Sequence, residues 1–189
     1  MTPDSPLFST SSAIGPGRVP SASAVVVVGN PEPASRTRAV GELVARHVAS
    51  LTSAPDDVLV IELADVGARL LDWRDRSVDE LKAIVAGSQA LVVATPTYKA
   101  SFTGLLKLFI DRFDRHELDG LPTVAVMTGA TPLHALAVDT QLRPVLTEIG
   151  ASQPARGLFL CGPEIDEPHA AVADWWNGAR IPLERMIWR

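Results

Sequence analysis

The sequence predicts an α/β fold, a doubly wound five-stranded parallel sheet with helices on both faces. Short apolar runs rich in β-branched residues, without polar alternation, mark strands buried on both faces. Segments with apolar residues at helical spacing stand between them, with no repeat of sequence. With 47% apolar and 21% charged residues, 189 residues suffice for one domain with a full core and are too apolar for wholesale disorder.

The first strand is Ala24-Val25-Val26-Val27-Val28, ending in Gly29. Val40, Leu43, Val44, His47, Val48 and Leu51 then mark a helix. Val58 to Leu63 reads as the second strand. Ser77 opens the next helix, with Glu80 three residues on as a capping box and Leu81, Ile84 and Val85 behind it. Ala90 to Ala94 is the third strand, and Leu105, Leu106, Phe109, Ile110 and Phe113 mark the following helix. Leu121 to Met127 is the fourth strand. Val138, Leu142, Val145, Leu146 and Ile149 form a fourth helix, stopped by Gly150. Gly157 to Leu160 is the fifth strand. Strands joined this way pair in parallel, and ligands collect beyond their carboxyl ends, so the loops after strands one, three and four are where function is expected.

The ends differ in composition. Residues 1–23 are rich in Ser, Pro, Thr and Ala and read as a flexible extension. They lack the basic start and apolar stretch of a signal peptide. Gly15-Pro16-Gly17-Arg18 lacks the Lys-Ser/Thr ending of a phosphate loop. Residues 24–166 form the main domain and 167–189 a helical tail. In that tail Asn177-Gly178 reads as a break, and Pro182 as the start of a last short helix. Three of the four Trp residues lie there, either covering the core or forming a subunit interface.

A net charge of -5 argues against nucleic acid and anionic membranes as partners. A single cysteine, Cys161, excludes an intramolecular disulfide and reads as a packed residue. His47, His116, His134 and His169 lack metal-ligand spacing, so no metal site is expected. No apolar run reaches the roughly 20 residues that span a bilayer, and a cytoplasmic location is expected.

Two loops carry chemistry. Gly29-Asn30-Pro31-Glu32-Pro33-Ala34-Ser35-Arg36-Thr37 leaves a buried strand and enters a helix. Hydroxyls of Ser35 and Thr37, with the unpaired first N–H groups of the helix, suit a phosphate. Arg36 or Arg38 can add charge, although Ser35 also reads simply as an N-cap. The loop lacks GxGxxG, so no dinucleotide fingerprint is present. Ala94-Thr95-Pro96-Thr97-Tyr98-Lys99-Ala100-Ser101-Phe102-Thr103-Gly104 follows the central strand. A flat heterocycle needs an apolar wall and polar groups at its edge. Pro96 stiffens the loop, Tyr98 can pack beside a ring, and Lys99 supplies charge, or else Tyr98 merely packs and Lys99 is solvated.

Pro96-Thr97-Tyr98-Lys99-Ala100-Ser101-Phe102-Thr103-Gly104-Leu105-Leu106-Lys107 resembles the signature loop of NAD(P)H-dependent FMN reductases, in particular the reductase components of two-component alkanesulfonate monooxygenase systems. Thr128-Gly129-Ala130-Thr131-Pro132-Leu133-His134-Ala135-Leu136-Ala137-Val138-Asp139 resembles their next flavin loop, and Leu142-Arg143-Pro144-Val145-Leu146 continues the match. The first loop is similar to their Ser-rich phosphate loop, with Gly-Asn where Gly-Ser is usual. The likeness runs from about Val25 to Leu160.

It implies a flavodoxin-like fold with FMN at the strand ends, its phosphate on Ser35, Arg36 and Thr37. The ring would lie against Pro96, Thr97, Tyr98 and Lys99 and against Gly129 and Ala130, with His134 lining the site. NAD(P)H would stack on the exposed ring face and pass hydride to flavin N5 with no catalytic acid or base. The resemblance also implies release of reduced FMN to a flavin-dependent monooxygenase, and a homodimer or homotetramer. Arg36, Arg38 and Arg74 are candidates for a 2′-phosphate contact. An FMN-retaining quinone or azo reductase, a flavodoxin-type electron carrier and a flavin-binding sensor or scaffold are the competing readings.

In some of these relatives an aromatic insertion, where this chain has Thr140, makes a local π-helix at the subunit interface. Pro144 crowds the carbonyl of Thr140, so an irregular turn is expected between Asp139 and Pro144, close to the flavin edge and at an interface. A simple proline kink is the alternative.

Overall fold

A computed structural model of the chain describes residues 22–188. Residues 1–21, most of the predicted extension, lie outside the described residues. Five strands alternate with helices: β1 (Ala24–Val28), α1 (Arg36–Ala49), β2 (Val58–Glu62), α2 (Arg76–Ala86), β3 (Leu91–Pro96), α3 (Gly104–Ile110), β4 (Thr123–Gly129), α4 (Arg143–Glu148), β5 (Leu158–Cys161) and α5 (His169–Ile187). All pairings are parallel, in the order β2-β1-β3-β4-β5. The order reverses between β1 and β3, and both C-terminal loops open at that switch point.

The pleat explains the unalternated runs. Val25 and Val27 of β1 face a core closed by α2, α3 and α4, through residues such as Val78, Phe109 and Leu146. Ala24, Val26 and Val28 face the opposite core, closed by α1 and α5 through Val40, Val44 and Trp175. Each β1 residue is therefore apolar whichever way it points. At the end of β1, Gly29 is required by close packing. A Cβ there would lie 2.7 Å from Leu106 Cβ of α3, a backbone-anchored atom.

Several boundaries depart from the sequence reading. Leu63 lies in a 3-10 turn beyond β2, β3 extends to Pro96, and β4 runs from Thr123 to Gly129. The cap of α2 is Asp75, not Ser77. Its carboxylate accepts from the Ser77 N–H at 2.8 Å and the Ser77 hydroxyl at 2.5 Å, and the hydroxyl bond is the main cause holding Asp75 below the usual carboxylate range. Arg112 explains why the chain turns there. Its buried guanidinium donates to the carbonyl of Asp72 at 3.0 Å and to Asp79 Oδ1 at 2.9 Å, gathering the segment ahead of α2.

The tail also differs. Asn177-Gly178 does not break it, and Pro182 sits inside a single helix. A proline within a helix costs about 3 kcal/mol. Burial of Val172, Trp175, Ala179 and Leu183 along one stripe outweighs that, and Gly178 is exposed. The turn Val138–Leu142 is a π-turn, as the sequence reading allowed. Arg143 N–H bonds back to the Val138 carbonyl, so Pro144 enters α4 in its first turn, where its missing N–H is no loss. The Thr140 hydroxyl donates to the Leu136 carbonyl at 2.9 Å.

His47 of α1 lies against Trp176 of α5, ring centroids 5.3 Å apart. Burial chiefly, then the nearby His169 and Arg46, hold its imidazole below the ordinary histidine range. The unfolded chain keeps the ordinary value of about 6.5 and so binds more protons between the two values. Stability is expected to fall as pH drops through that unfolded value and to level off below the folded one. His47→Gln should flatten this part of a melting temperature against pH profile. An unchanged profile would remove His47 as its source.

Candidate functional site

At the carboxyl ends of the strands lies an open cleft of about 750 Å³, within the roughly 300–1,000 Å³ usual for cofactor sites. Four loops line it. The β1–α1 loop contributes Asn30 and the stretch from Glu32 to Thr37. The end of β3 and its loop contribute Pro96, Thr97 and Tyr98. The end of β4 contributes Thr128, Gly129 and Ala130. The loop after β5 adds Gly162, Ile165 and Asp166.

The first wall is built around the start of α1. Ser35 is the N-cap, and its hydroxyl accepts from the Arg38 N–H at 3.2 Å. Among the described residues, the N–H groups of Ser35, Arg36 and Thr37 donate to nothing. They and the helix dipole make this end of the cleft a place for an anion. Thr37 is buried, and its hydroxyl shares one hydrogen bond of 2.8 Å with Thr128. Two hydroxyls sharing one bond leave one proton free to donate elsewhere.

Charge is arranged against the simplest expectation. Arg36 is the one cation among the described wall residues, and it pairs with Asp166 at 3.0 Å across the cleft. Both side chains are largely exposed, so the pair is worth little by itself. Arg38 is turned away from the cleft. It bonds Glu42 Oε1 at 2.6 Å and also Glu62, and its bond to Glu42 is the main cause raising its pKa.

The facing wall offers a flat, partly apolar surface. Thr97 N–H donates to the Thr128 carbonyl at 2.6 Å, which joins the two loops. The Thr97 Oγ1 atom is buried and has no partner among the described residues. An orphaned hydroxyl beside a cleft is what a polar ring edge would satisfy. A Cβ at Gly129 would lie 2.8 Å from the Phe159 ring behind it, so a side chain there needs that ring to shift. Tyr98 is half exposed on the wall.

Tyr98 and Ser101 pair their backbones in both directions, at 2.8 and 3.1 Å, around Lys99 and Ala100. These two have φ of 53° and 63°. The turn therefore needs left-handed backbone at both centres, a type I′ requirement met without Asn or Gly. Each such residue costs about 1–2 kcal/mol. Lys99→Asn with Ala100→Gly is expected to raise the melting temperature, by relief of roughly 1 kcal/mol or more. No rise would mean that the turn is not strained.

Eight of the predicted site residues thus share the cleft: Ser35, Arg36, Thr37, Pro96, Thr97, Tyr98, Gly129 and Ala130. Lys99 and His134 do not line it. Lys99 is exposed at the tip of the turn, and His134 ends the 3-10 turn Pro132–His134. The π-turn residues are also absent from the wall. Thr128 enters the sequence reading only as the first residue of a matched loop, and the loop after β5 does not enter it as part of a site. Gly162-Pro163-Glu164-Ile165-Asp166 carries no ligand signature, and only the adjacency of β5 to β4 brings it to the cleft.

A parallel sheet of this order, with an anion seat at the first loop and a flat wall at the next two, defines a flavodoxin-like protein of the mononucleotide-cofactor class. The profile of the NADPH-dependent FMN reductase family matches residues 22–164. The chain belongs to that family. It is 35% identical over 160 residues to an FMN reductase (NADPH) of Pseudomonas putida strain KT2440, covering 83% of this chain and 78% of that one. It is 33% identical to the NADH-dependent FMN reductase SfnF of Pseudomonas putida, covering 77% and 80%. Among solved structures, the apo form of the NADH:FMN oxidoreductase EMOB superposes with a TM-score of 0.74 at 29% identity, over 88% of this chain and 89% of that one.

Proposed function

We propose that FMN lies in this cleft, is reduced there by NAD(P)H, and leaves as reduced flavin for a separate flavin-dependent monooxygenase. The observation that carries the reading is the placement of three unpaired amides at the start of α1 opposite the buried, unpartnered Thr97 hydroxyl, in one cleft. Ser35, Arg36 and Thr37 would hold the phosphate. Pro96, Thr97, Tyr98, Gly129 and Ala130 would hold the ring. Lys99, next to Tyr98 in sequence, and His134, four residues beyond Ala130, would act at the mouth. Bound FMN supplies the hydride acceptor. The chain's contribution is orientation and a partly water-excluded wall, since proximity can carry such a transfer.

The relatives named for NADPH and for NADH leave either nucleotide in play. The reading includes a homodimer or homotetramer in the cytoplasm. No helix among the described residues is long and apolar enough to cross a membrane, and no metal-binding cluster occurs among them.

Purified protein is expected to oxidise NADPH or NADH only when FMN is bound or added. Sustained absence of oxidation with FMN demonstrably bound would favour an electron carrier or scaffold. Gel filtration after anaerobic reduction tests release. Flavin that stays with the protein would favour an FMN-retaining quinone or azo reductase.

A further inference from the structure

Glu62, the last residue of β2, is a buried carboxylate outside the cleft wall, its side chain 7% exposed. Its Oε2 accepts the Ala34 N–H at 2.8 Å, and its Oε1 accepts from Arg38. Ala34 has φ of 52°, a left-handed conformation that is strained for any L-residue with a side chain. It stands directly before Ser35, where the chain turns into α1. A buried charge is retained only with partners, and here the partners are the loop and the first turn of the helix.

We propose that Glu62 is the positioning residue of the phosphate loop. It holds Ala34 in the left-handed state that presents the Ser35, Arg36 and Thr37 amides to the ligand, and it draws Arg38 away from the cleft. The carboxylate accepts the Ala34 N–H from outside the cleft, so the free amides left to the ligand are the next three. Fixing the loop before binding removes an ordering cost that the phosphate would otherwise offset. Arg38 bonds both Glu42 and Glu62, and Arg46 also pairs with Glu42 at 3.7 Å, so two guanidinium groups balance the two carboxylates and an anion can sit nearby. The sequence gives no warning of this role, because an acidic residue closing a strand reads as an ordinary edge charge.

This rests on the FMN reading, and the test separates the two by comparing FMN with riboflavin, which lacks the phosphate. Glu62→Ala is expected to raise the Kd for FMN about tenfold, by loss of a charge-assisted bond that fixes the loop. The riboflavin Kd and the kcat at saturating FMN should stay within about twofold, while the KM for FMN rises, because only the phosphate grip is changed. Adding Ala34→Gly to Glu62→Ala should recover part of the FMN affinity, since glycine adopts the left-handed state without strain. Should Glu62→Ala fail to fold, Glu62→Leu fills the buried space without an acceptor for the Ala34 N–H and must shift the ratio of FMN to riboflavin affinity. Equal loss of both flavins, an unchanged ratio, or no recovery with glycine overturns the positioning role. Failure of the wild-type protein to bind either flavin overturns the FMN reading itself.

Discussion

Trp175→Ala is expected to destabilise the protein by about 3–5 kcal/mol, the range for emptying a buried aromatic site. Trp175 is 2% exposed and is among the largest fully buried side chains. It anchors α5 on the core face that α1 and the sheet share. Its indole N–H donates to the Arg156 carbonyl at 3.0 Å, so alanine leaves both a void and an unpartnered acceptor. Trp176 cannot take its place, because it lies over His47. Trp188 is 66% exposed, and its replacement by alanine should be nearly neutral. Ile165, on the cleft wall, belongs to the same core face, so the loosened helix should also weaken flavin binding. Urea unfolding of Trp175→Ala beside Trp188→Ala measures both values. A loss below about 1 kcal/mol would mean that α5 is held by other contacts.

The sheet was legible because burial on both faces removes the polar alternation that would otherwise obscure a strand. The run from Ala24 to Val28 is too short and too β-branched for a buried helix. The tail was misread because local propensity and tertiary packing conflict there. Gly178 and Pro182 disfavour helix one residue at a time, whereas the stripe from Val172 to Leu183 favours it as a unit. The cap of α2 was misplaced by two residues because Asp75 and Ser77 are both capping types, and only Arg112, distant in sequence, selects the turn around Asp75. In the site, the loops after β1, β3 and β4 were legible from their residue types. Asp166 and Glu62 were not, because their places follow from strand order and from a buried side-chain bond rather than from any local pattern.

The expected effect of Ser35→Ala with Thr37→Ala is a loss of about 1–3 kcal/mol in FMN affinity, from hydroxyl bonds to a charged phosphate. Ser35 has two duties that must be separated. Its hydroxyl caps α1 through the Arg38 N–H, and an alanine cap alone costs about 0.5–2 kcal/mol of stability. Thr37 is tied to Thr128, so its loss leaves that hydroxyl free to turn toward the ligand and partly compensate. Ser35→Asp distinguishes the duties. Aspartate caps a helix as well as serine does, so stability should hold. Its carboxylate, however, would compete with the phosphate at the amides of α1, and FMN affinity should fall further than in the double alanine variant. Riboflavin, without the phosphate, should bind all three proteins alike. Calorimetric titration with both flavins, beside thermal melts, gives the comparison. If Ser35→Asp retains wild-type FMN affinity, the phosphate does not sit at the start of α1.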